Sequence, residues 1–215
     1  MARIFIVEDH PIYREGLAGY VNEEPGLQVC GVADNVADAL TGIERTNPHL
    51  VVVDLQLKGS SGLDLIQDIR YRWPELHILV LSMYDEIRYA DRVLRMGARG
   101  YVMKDKGPET VLKAIKIVLQ GEVYASQRVK DQLLMGKVEK SPTDVLTDRE
   151  IQIFQLLGEG NTVGEIAEQL NRSPKTIQNH IDHIRTRMHL KSRQELYQKS
   201  KEWVLGLGEA EDDAG

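Results

Sequence analysis

The sequence predicts two domains: an α/β unit on a five-stranded, doubly wound parallel sheet, then a small all-α unit of four helices. Three observations predict this. Over the first 120 residues, short apolar runs rich in Val and Ile alternate five times with stretches of helical period. Buried parallel strands need such runs, because helices cover both faces of their sheet. The alternation breaks near Gly121, and beyond Pro142 only helical periods with cap signals follow. The 215 residues suffice for two domains.

The strands are expected at 4–7, 27–33, 50–53, 78–81 and 101–103. Between them, Tyr13, Gly16, Leu17, Tyr20 and Val21 recur at i, i+3, i+4, i+7 and i+8, which marks a helix face. The same spacing joins Val36, Ala39, Leu40 and Ile43, then Leu65, Ile66, Ile69 and Trp73. Ile87, Ala90, Val93 and Leu94 match less well, and Val111, Leu112, Ile115, Val118 and Leu119 complete the set. Five βα units imply right-handed crossovers. Residues 1–121 are therefore expected to form the α/β domain. Residues 122–145 read as a linker with room for one short helix, and 146–204 as the helical domain. In the latter, Thr147-Asp148-Arg149-Glu150 has the form of a capping box with Thr147 as N-cap. Helices are expected at about 148–158, 163–170, 174–188 and 192–204. Gly158, Gly160 and Asn161 separate the first two, and Ser173-Pro174 supplies an N-cap and first-turn proline for the third. The acidic, glycine-rich end at 205–215 is expected to be disordered.

Composition narrows the function classes. The chain is 42% hydrophobic, enough for a packed core, yet no apolar run approaches the ~20 residues of a membrane span. The opening MARIFIVEDH places acids directly after a short apolar run, so it reads as a strand and not a signal peptide. No membrane association is expected. Cys30 is the only cysteine, so a reducing compartment is the simple reading, with Cys30 a buried, inert thiol. The net charge of −6 conceals a basic stretch: residues 172–201 carry eight basic and two acidic side chains. That excess suggests a polyanionic partner, although a solvated basic helix face reads equally well on charge alone.

In open α/β sheets, ligands bind at the carboxyl ends of the strands. The expected strand ends carry Glu8 and Asp9, Asp54, Ser82 and Lys104. Singly, each is better explained as a helix cap or a solvated charge. Together they form one chemistry. Three converging carboxylates repel each other, and a hard divalent cation such as Mg²⁺ or Mn²⁺ relieves that through oxygen ligands. Such an ion neutralises an incoming phosphoryl group, Lys104 pairs with phosphoryl oxygens, Ser82 donates a hydrogen bond, and Asp54 is the nucleophile. A phosphatase of the haloacid-dehalogenase type wants a second acid two residues after its aspartyl nucleophile, where this chain has Gln56. A dinucleotide-binding domain wants Gly-x-Gly-x-x-Gly after the first strand, where this chain has Glu8-Asp9-His10-Pro11.

Glu8-Asp9, Asp54, Ser82 and Lys104, with Tyr101 three residues before the lysine, resemble the receiver domain of bacterial response regulators over about residues 2–120. The resemblance implies a flavodoxin-like fold and phosphoryl transfer from a histidine kinase to Asp54. It implies a metal held by Asp9, Asp54 and the backbone carbonyl of Gln56, with Glu8 beside it. Ser82 would move toward the phosphate and Tyr101 would swing inward. One departure stands out: relatives often have Met-Pro-Gly where this chain has Leu57-Lys58-Gly59. Leu for Met conserves volume, whereas Lys58 for Pro releases a φ constraint and adds a cation near the site. Phosphorylation is expected to survive, with altered rate and lifetime.

In PKTIQNHIDHIRTRM, residues 174–188, Ile177, Ile181, Ile184 and Met188 form one stripe. The opposite face carries Lys175, Asn179, Asp182, His183 and Thr186, flanked by Gln178 and Arg185, and by His180 and Arg187. The preceding helix and a turn at 171–173 give helix-turn-helix spacing, in which the second helix enters the DNA major groove. Gln178 and Asn179 suit adenine, and Lys175, Arg185 and Arg187 suit phosphate or guanine. Thr176 belongs to the same groove-facing set, while Lys191 and Arg193 are expected to touch backbone. His180, His183 and His189 lack cysteines or an acidic pair on their face and read as groove or packing residues, not zinc ligands.

Residues 146–200 resemble the LuxR-type helix-turn-helix. The resemblance rests on Leu146 to Ile151 (LTDREI), Glu165-Ile166-Ala167, Leu170, Ser173, Thr176-Ile177, His180, Ile184, Arg187 and Leu190. A receiver joined to this module looks like a NarL/FixJ-type response regulator. That implies a cytoplasmic bacterial transcription regulator whose partners are a histidine kinase and double-stranded DNA. The active form would be a homodimer joined at the last helix, with RNA polymerase as a further candidate partner. It would be no enzyme beyond its own phosphoryl transfer and hydrolysis. A lysine is common at 178 and a basic residue at 182, where this chain has Gln178 and Asp182. Asp182 repels phosphate but accepts from cytosine, so a shallower salt dependence is expected. Two other readings stay open: a DNA-binding regulator independent of phosphate, and an aspartyl-nucleophile hydrolase.

Overall fold

The computed structural model describes residues 1–57, 60–135 and 142–205. The chain divides into two compact units, 1–138 and 139–215.

The first unit is a five-stranded sheet in the order β2-β1-β3-β6-β7, parallel throughout. Its strands are β1 (Ala2–Val7), β2 (Leu27–Ala33), β3 (Leu50–Val53), β6 (His77–Ser82) and β7 (Gly100–Met103). The helices between and after them are α1 (Pro11–Glu23), α2 (Val36–Thr46), α3 (Gly62–Arg72), α4 (Glu86–Arg95) and α5 (Pro108–Leu119). All five expected strands are present, extended by one or two residues where the apolar run ends in Ala2, His77, Ser82 or Gly100. The strand order reverses between β1 and β3, and their carboxyl ends open one crevice, where such sheets take ligands. β3 is central and buried along its whole length, at 0–1% exposure, which accounts for its unbroken apolar run. Its chain then turns into a small antiparallel ribbon that the sequence did not announce, β4 (Gln56–Leu57) with β5 (Ser60–Ser61). Lys58 and Gly59, and the expectations attached to them, lie outside the described residues.

Two side-chain expectations need correction. On α1, Gly16 and Tyr20 are exposed. The inward stripe is the narrower Tyr13, Leu17 and Val21, because the helix packs chiefly against β2, α5 and part of β1. Cys30 is half-buried, not buried, because β2 is an edge strand; its Sγ donates to the Ile4 carbonyl at 3.3 Å.

The stretch expected as a linker contains a helix, α6 (Gln127–Met135). Its approach is an extension of the sheet. Tyr124 forms a parallel bridge to Gly100, its N–H donating to the Arg99 carbonyl and its carbonyl accepting from the Tyr101 N–H. The helix then packs on α4, burying Ala125 and Val129. Ser126 Oγ donates to Glu86 Oε1 at 2.7 Å and caps the helix by accepting from the Val129 N–H.

The second unit is α-helical: a short α7 (Pro142–Val145), then α8 (Asp148–Gly158), α9 (Val163–Gln169), α10 (Pro174–Arg187) and α11 (Arg193–Leu205). The Thr147 capping box is present in both halves, and Thr162 with Glu165 forms a second one. Ser173 caps α10 by accepting from the Thr176 N–H. Ile151, Phe154, Ile166, Ile177, Ile181, Ile184 and Leu196 are buried at 0–1% exposure. α8 and α11 approach so closely that a β-carbon on Gly158 would fall on the Ser200 carbonyl. Residues 206–215, most of the expected acidic tail, lie outside the described residues. Among the described residues no helix is long and apolar enough to cross a membrane.

Candidate acidic site and nucleic-acid interface

The chain delivers three carboxylates to the crevice because β1 and β3 end there in register, Val7 opposite Val53. Glu8, Asp9 and Asp54 are buried, at 2%, 7% and 1% exposure. With His10 they bring ligand atoms within 4.8 Å of one another, the group among the described residues that could hold a metal ion. The donor set suits a hard divalent cation, being mostly carboxylate oxygen. Asp54 uses both oxygens: Oδ1 accepts from the Gln56 N–H at 3.0 Å and Oδ2 from Lys104 Nζ at 2.8 Å. Lys104 also reaches Glu8 Oε2 at 2.6 Å.

Asp54 and Lys104 are both moved from their ordinary values. Burial is the main cause that raises the Asp54 carboxyl from 3.8 to about 6; Lys104 and the Gln56 N–H oppose the rise, and Glu8 adds to it. Burial lowers the Lys104 ammonium, but the Asp54 and Glu8 carboxylates together outweigh it and hold Lys104 above its ordinary value. The site thus keeps a permanent cation beside a carboxylate whose charge is costly.

Ser82 ends β6 and Tyr101 lies near the start of β7, both at 0–1% exposure. Ser82 Oγ accepts from the Tyr84 N–H at 3.2 Å, and the Tyr101 hydroxyl donates to the Tyr84 carbonyl at 2.8 Å. Burial pushes the Tyr101 phenol far above its ordinary value. Tyr84, absent from the sequence reading, joins these residues. Its hydroxyl accepts from Gln56 Nε2 at 2.8 Å and its ring stacks on Tyr89 of α4 at 4.6 Å. Hydrogen bonds therefore lead from Asp54 through Gln56 to Tyr84, whose ring stacks on α4 and whose carbonyl, through Tyr101, connects to Tyr124. His10 was also missed; its Nδ1 lies 3.0 Å from Glu8 Oε1 and 2.9 Å from Asp9 Oδ1. The signal was its place directly after the acidic pair.

In the second unit, α10 buries Ile177, Ile181 and Ile184 and leaves Lys175, Asn179, His183 and Thr186 exposed, with Thr176, Gln178, Asp182 and Arg185 half-buried. Three residues expected at DNA are already engaged. Arg187 Nη1 lies 3.3 Å from Oε2 of buried Glu150, which also serves the Thr147 cap. Asp182 accepts from Arg193 Nη2 at 3.1 and 3.3 Å, so these two charges face each other instead of acting separately. Lys191 is exposed, and its N–H donates to Glu195.

Comparison with known proteins agrees with this arrangement. The family described as "Response regulator receiver domain" matches residues 4–116, and "Bacterial regulatory proteins, luxR family" matches residues 144–200. The chain is a NarL/FixJ-type response regulator. It is similar to the oxygen regulatory protein NreC of Staphylococcus aureus, 34% identical over 204 residues, covering 90% of this chain and 94% of NreC. A nitrate/nitrite response regulator homologue of Haemophilus influenzae is 31% identical, over 89% of this chain and 92% of that one. Among solved structures, a LuxR-family response regulator from Aurantimonas sp. SI85-9A1 matches 65% of this chain and 99% of its own, at 32% identity and a TM-score of 0.60. RcsB of Salmonella enterica serovar Typhimurium, bound to the rprA promoter with the phosphomimetic BeF₃⁻, covers 93% of the response regulator and 98% of its own chain. That match has 25% identity and a TM-score of 0.62. The response regulator is thus a DNA-binding transcription regulator and not a conventional enzyme.

Proposed function

We propose that this response regulator is switched by phosphorylation of Asp54. The observation that carries the reading is the buried cluster of Glu8, Asp9, Asp54 and Lys104 at the β1–β3 crevice. The phosphodonor is a phosphohistidine of a kinase. Asp54 attacks phosphorus, a P–O bond forms, the P–N bond breaks, and its electron pair leaves on the imidazole. Lys104 pairs with the phosphoryl oxygens as negative charge moves off the carboxylate. Glu8, Asp9 and Asp54, with the Gln56 carbonyl, would hold Mg²⁺ or Mn²⁺, which supplies charge neutralisation for the transferring group. Later attack of water on the acyl phosphate resets the switch.

The proposed division is a receiver at 1–121, a linker at 122–145, a DNA-binding domain at 146–204 and an acidic tail at 205–215. Packing of α6 on α4 favours a linker whose first half belongs with the receiver. Ser82, Tyr84 and Tyr101 would carry the change at Asp54 to α4 and this linker. The regulator then pairs with a second copy and binds operator DNA in the cytoplasm, with Lys175, Thr176, Gln178, Asn179, His183, Arg185 and Thr186 at the groove. The RcsB complex with DNA and a phosphomimetic supports this reading by analogy.

The test is phosphorylation of the full chain by phosphoramidate in Mg²⁺, read by intact mass, with DNA binding read by fluorescence anisotropy. Wild type should gain one phosphoryl group and bind DNA more tightly, and Asp54→Asn should do neither. Equal DNA binding by both proteins in every state would leave a phosphate-independent regulator instead.

A further inference from the structure

We infer that Tyr13 is a positioning residue for Lys104: its ring is the fixed seat on which the ammonium rests while its carboxylate partners change. The inference rests on the phosphorylation reading above and adds a residue to that site.

Tyr13 stands on the first turns of α1, five residues beyond Glu8. Its ring is half-buried and packed against the apolar core, so its orientation is set by the fold. Lys104 Nζ lies over that ring at 4.8 Å from the centroid, inside the reach of a cation–π contact. The ammonium has three N–H donors. It lies 2.6 Å from Glu8 Oε2 and 2.8 Å from Asp54 Oδ2, with the ring as a further neighbour. At 5% exposure the ammonium has little access to water, so the ring substitutes for hydration it has lost.

The chemistry needs such a seat. Once Asp54 carries a phosphoryl group, negative charge shifts from the carboxylate to the phosphoryl oxygens, and Lys104 must follow it. Glu8 pulls the ammonium back toward the acidic pair throughout. The ring attracts the cation whichever oxygen is the current partner, so it keeps Lys104 at the strand ends during the exchange. The phenol stays neutral, because burial, then Glu8 and Asp54, push it up to about 12.

Three proteins decide the matter: wild type, Tyr13→Phe and Tyr13→Leu, each as the full chain. Phe keeps the aromatic face, and Leu keeps apolar bulk without it. Two quantities are read. The first is the rate constant for phosphorylation by phosphoramidate in Mg²⁺. The second is the proton shift of the Lys104 ε-methylene, which a ring beneath it moves upfield. Phe should match wild type in both. Leu should lose the upfield shift and phosphorylate about two- to thirty-fold more slowly, the range for a cation–π contact between exposed and desolvated settings. Amide protection in β3 checks that Leu leaves the sheet intact, and Tyr13→Met replaces it if not. A Leu variant as fast as wild type overturns the inference. So does a slow Leu variant whose Lys104 shift is unchanged, since the ring would then act through packing. If wild type accepts no phosphoryl group, the phosphorylation reading fails, while the Lys104 shifts still decide whether the ring holds the ammonium.

Discussion

Asp54 should make the metal-free receiver less stable as pH rises through the mildly acidic range, opposite to the usual behaviour of an ion-paired aspartate. Its carboxyl is at 1% exposure, and burial raises it from 3.8 to about 6. Between those values the folded protein binds the proton more strongly than the unfolded chain, so folding is favoured at the acid end. The stabilisation is complete below about pH 4 and is lost by the time pH has risen past about 6. The interval corresponds to about 3 kcal/mol, at about 1.4 kcal/mol for each pH unit. Lys104 does not interfere, because its ammonium is held above its ordinary value and stays charged across the window. The perturbation is Asp54→Asn, which keeps the side chain's size and removes its titration. The assay is hydrogen exchange of the Val52 and Val53 amides in EDTA, which reports opening of the buried central strand. The wild-type minus variant stability should fall by about 2 kcal/mol from pH 4 to pH 6.5, the rest of the difference accruing just outside that window. Saturating Mg²⁺ should reverse the trend, because metal binds the ionised carboxylate. A difference that stays flat, or rises with pH in EDTA, would refute the assignment of burial as the dominant cause.

Three further outcomes are expected. Gly62→Ala places a β-carbon on the Asp54 carbonyl and 2.6 Å from Leu55 Cα, so the main chain that carries Asp54 must move. It should cost about 1–3 kcal/mol in thermal unfolding and weaken Mg²⁺ binding, and no change in either would contradict the packing. Val129→Ala removes two methyl groups from the buried contact of α6 with α4 and should cost α6 about 1–2 kcal/mol of local protection in hydrogen exchange. Unaltered exchange there would mean that the contact contributes nothing. Asp182→Ala frees Arg193 from its partner, with little effect on stability since the pair is half-exposed. If Arg193 then reaches phosphate, the log–log salt slope of DNA affinity should steepen by about 0.9. An unchanged slope would show that Arg193 does not face DNA.

Much of the fold was legible because its signals are local. Apolar runs such as Leu50–Val53 mark buried strands, and Thr147 with Glu150 marks a helix start, within a few residues. Strand-end position also singled out Glu8, Asp9, Asp54, Ser82 and Lys104, because a parallel sheet gathers its carboxyl ends on one edge. The α1 stripe was read too wide, since period alone cannot say how much of a helix its neighbours cover; Gly16 and Tyr20 are exposed. Tyr84 escaped notice because nothing within two residues of Ser82 shows that its hydroxyl meets Gln56, 28 positions away.

Helix α10 shows the same limit. Of its expected apolar stripe the three isoleucines Ile177, Ile181 and Ile184 join the core, while Met188 at the helix end is only half-buried. Charge pairing was not readable: Asp182 meets Arg193 across 11 residues, and Arg187 meets Glu150 on another helix. By itself the sequence determined the order of strands and helices, the two-domain plan and the set of residues at the strand ends, since periodicity and caps act over short distances. Only the tertiary structure decided which groups share a proton, a partner or an ion. Lys104 reaches Asp54 across 50 positions and rests over Tyr13, and such contacts depend on how the strands and helices are stacked.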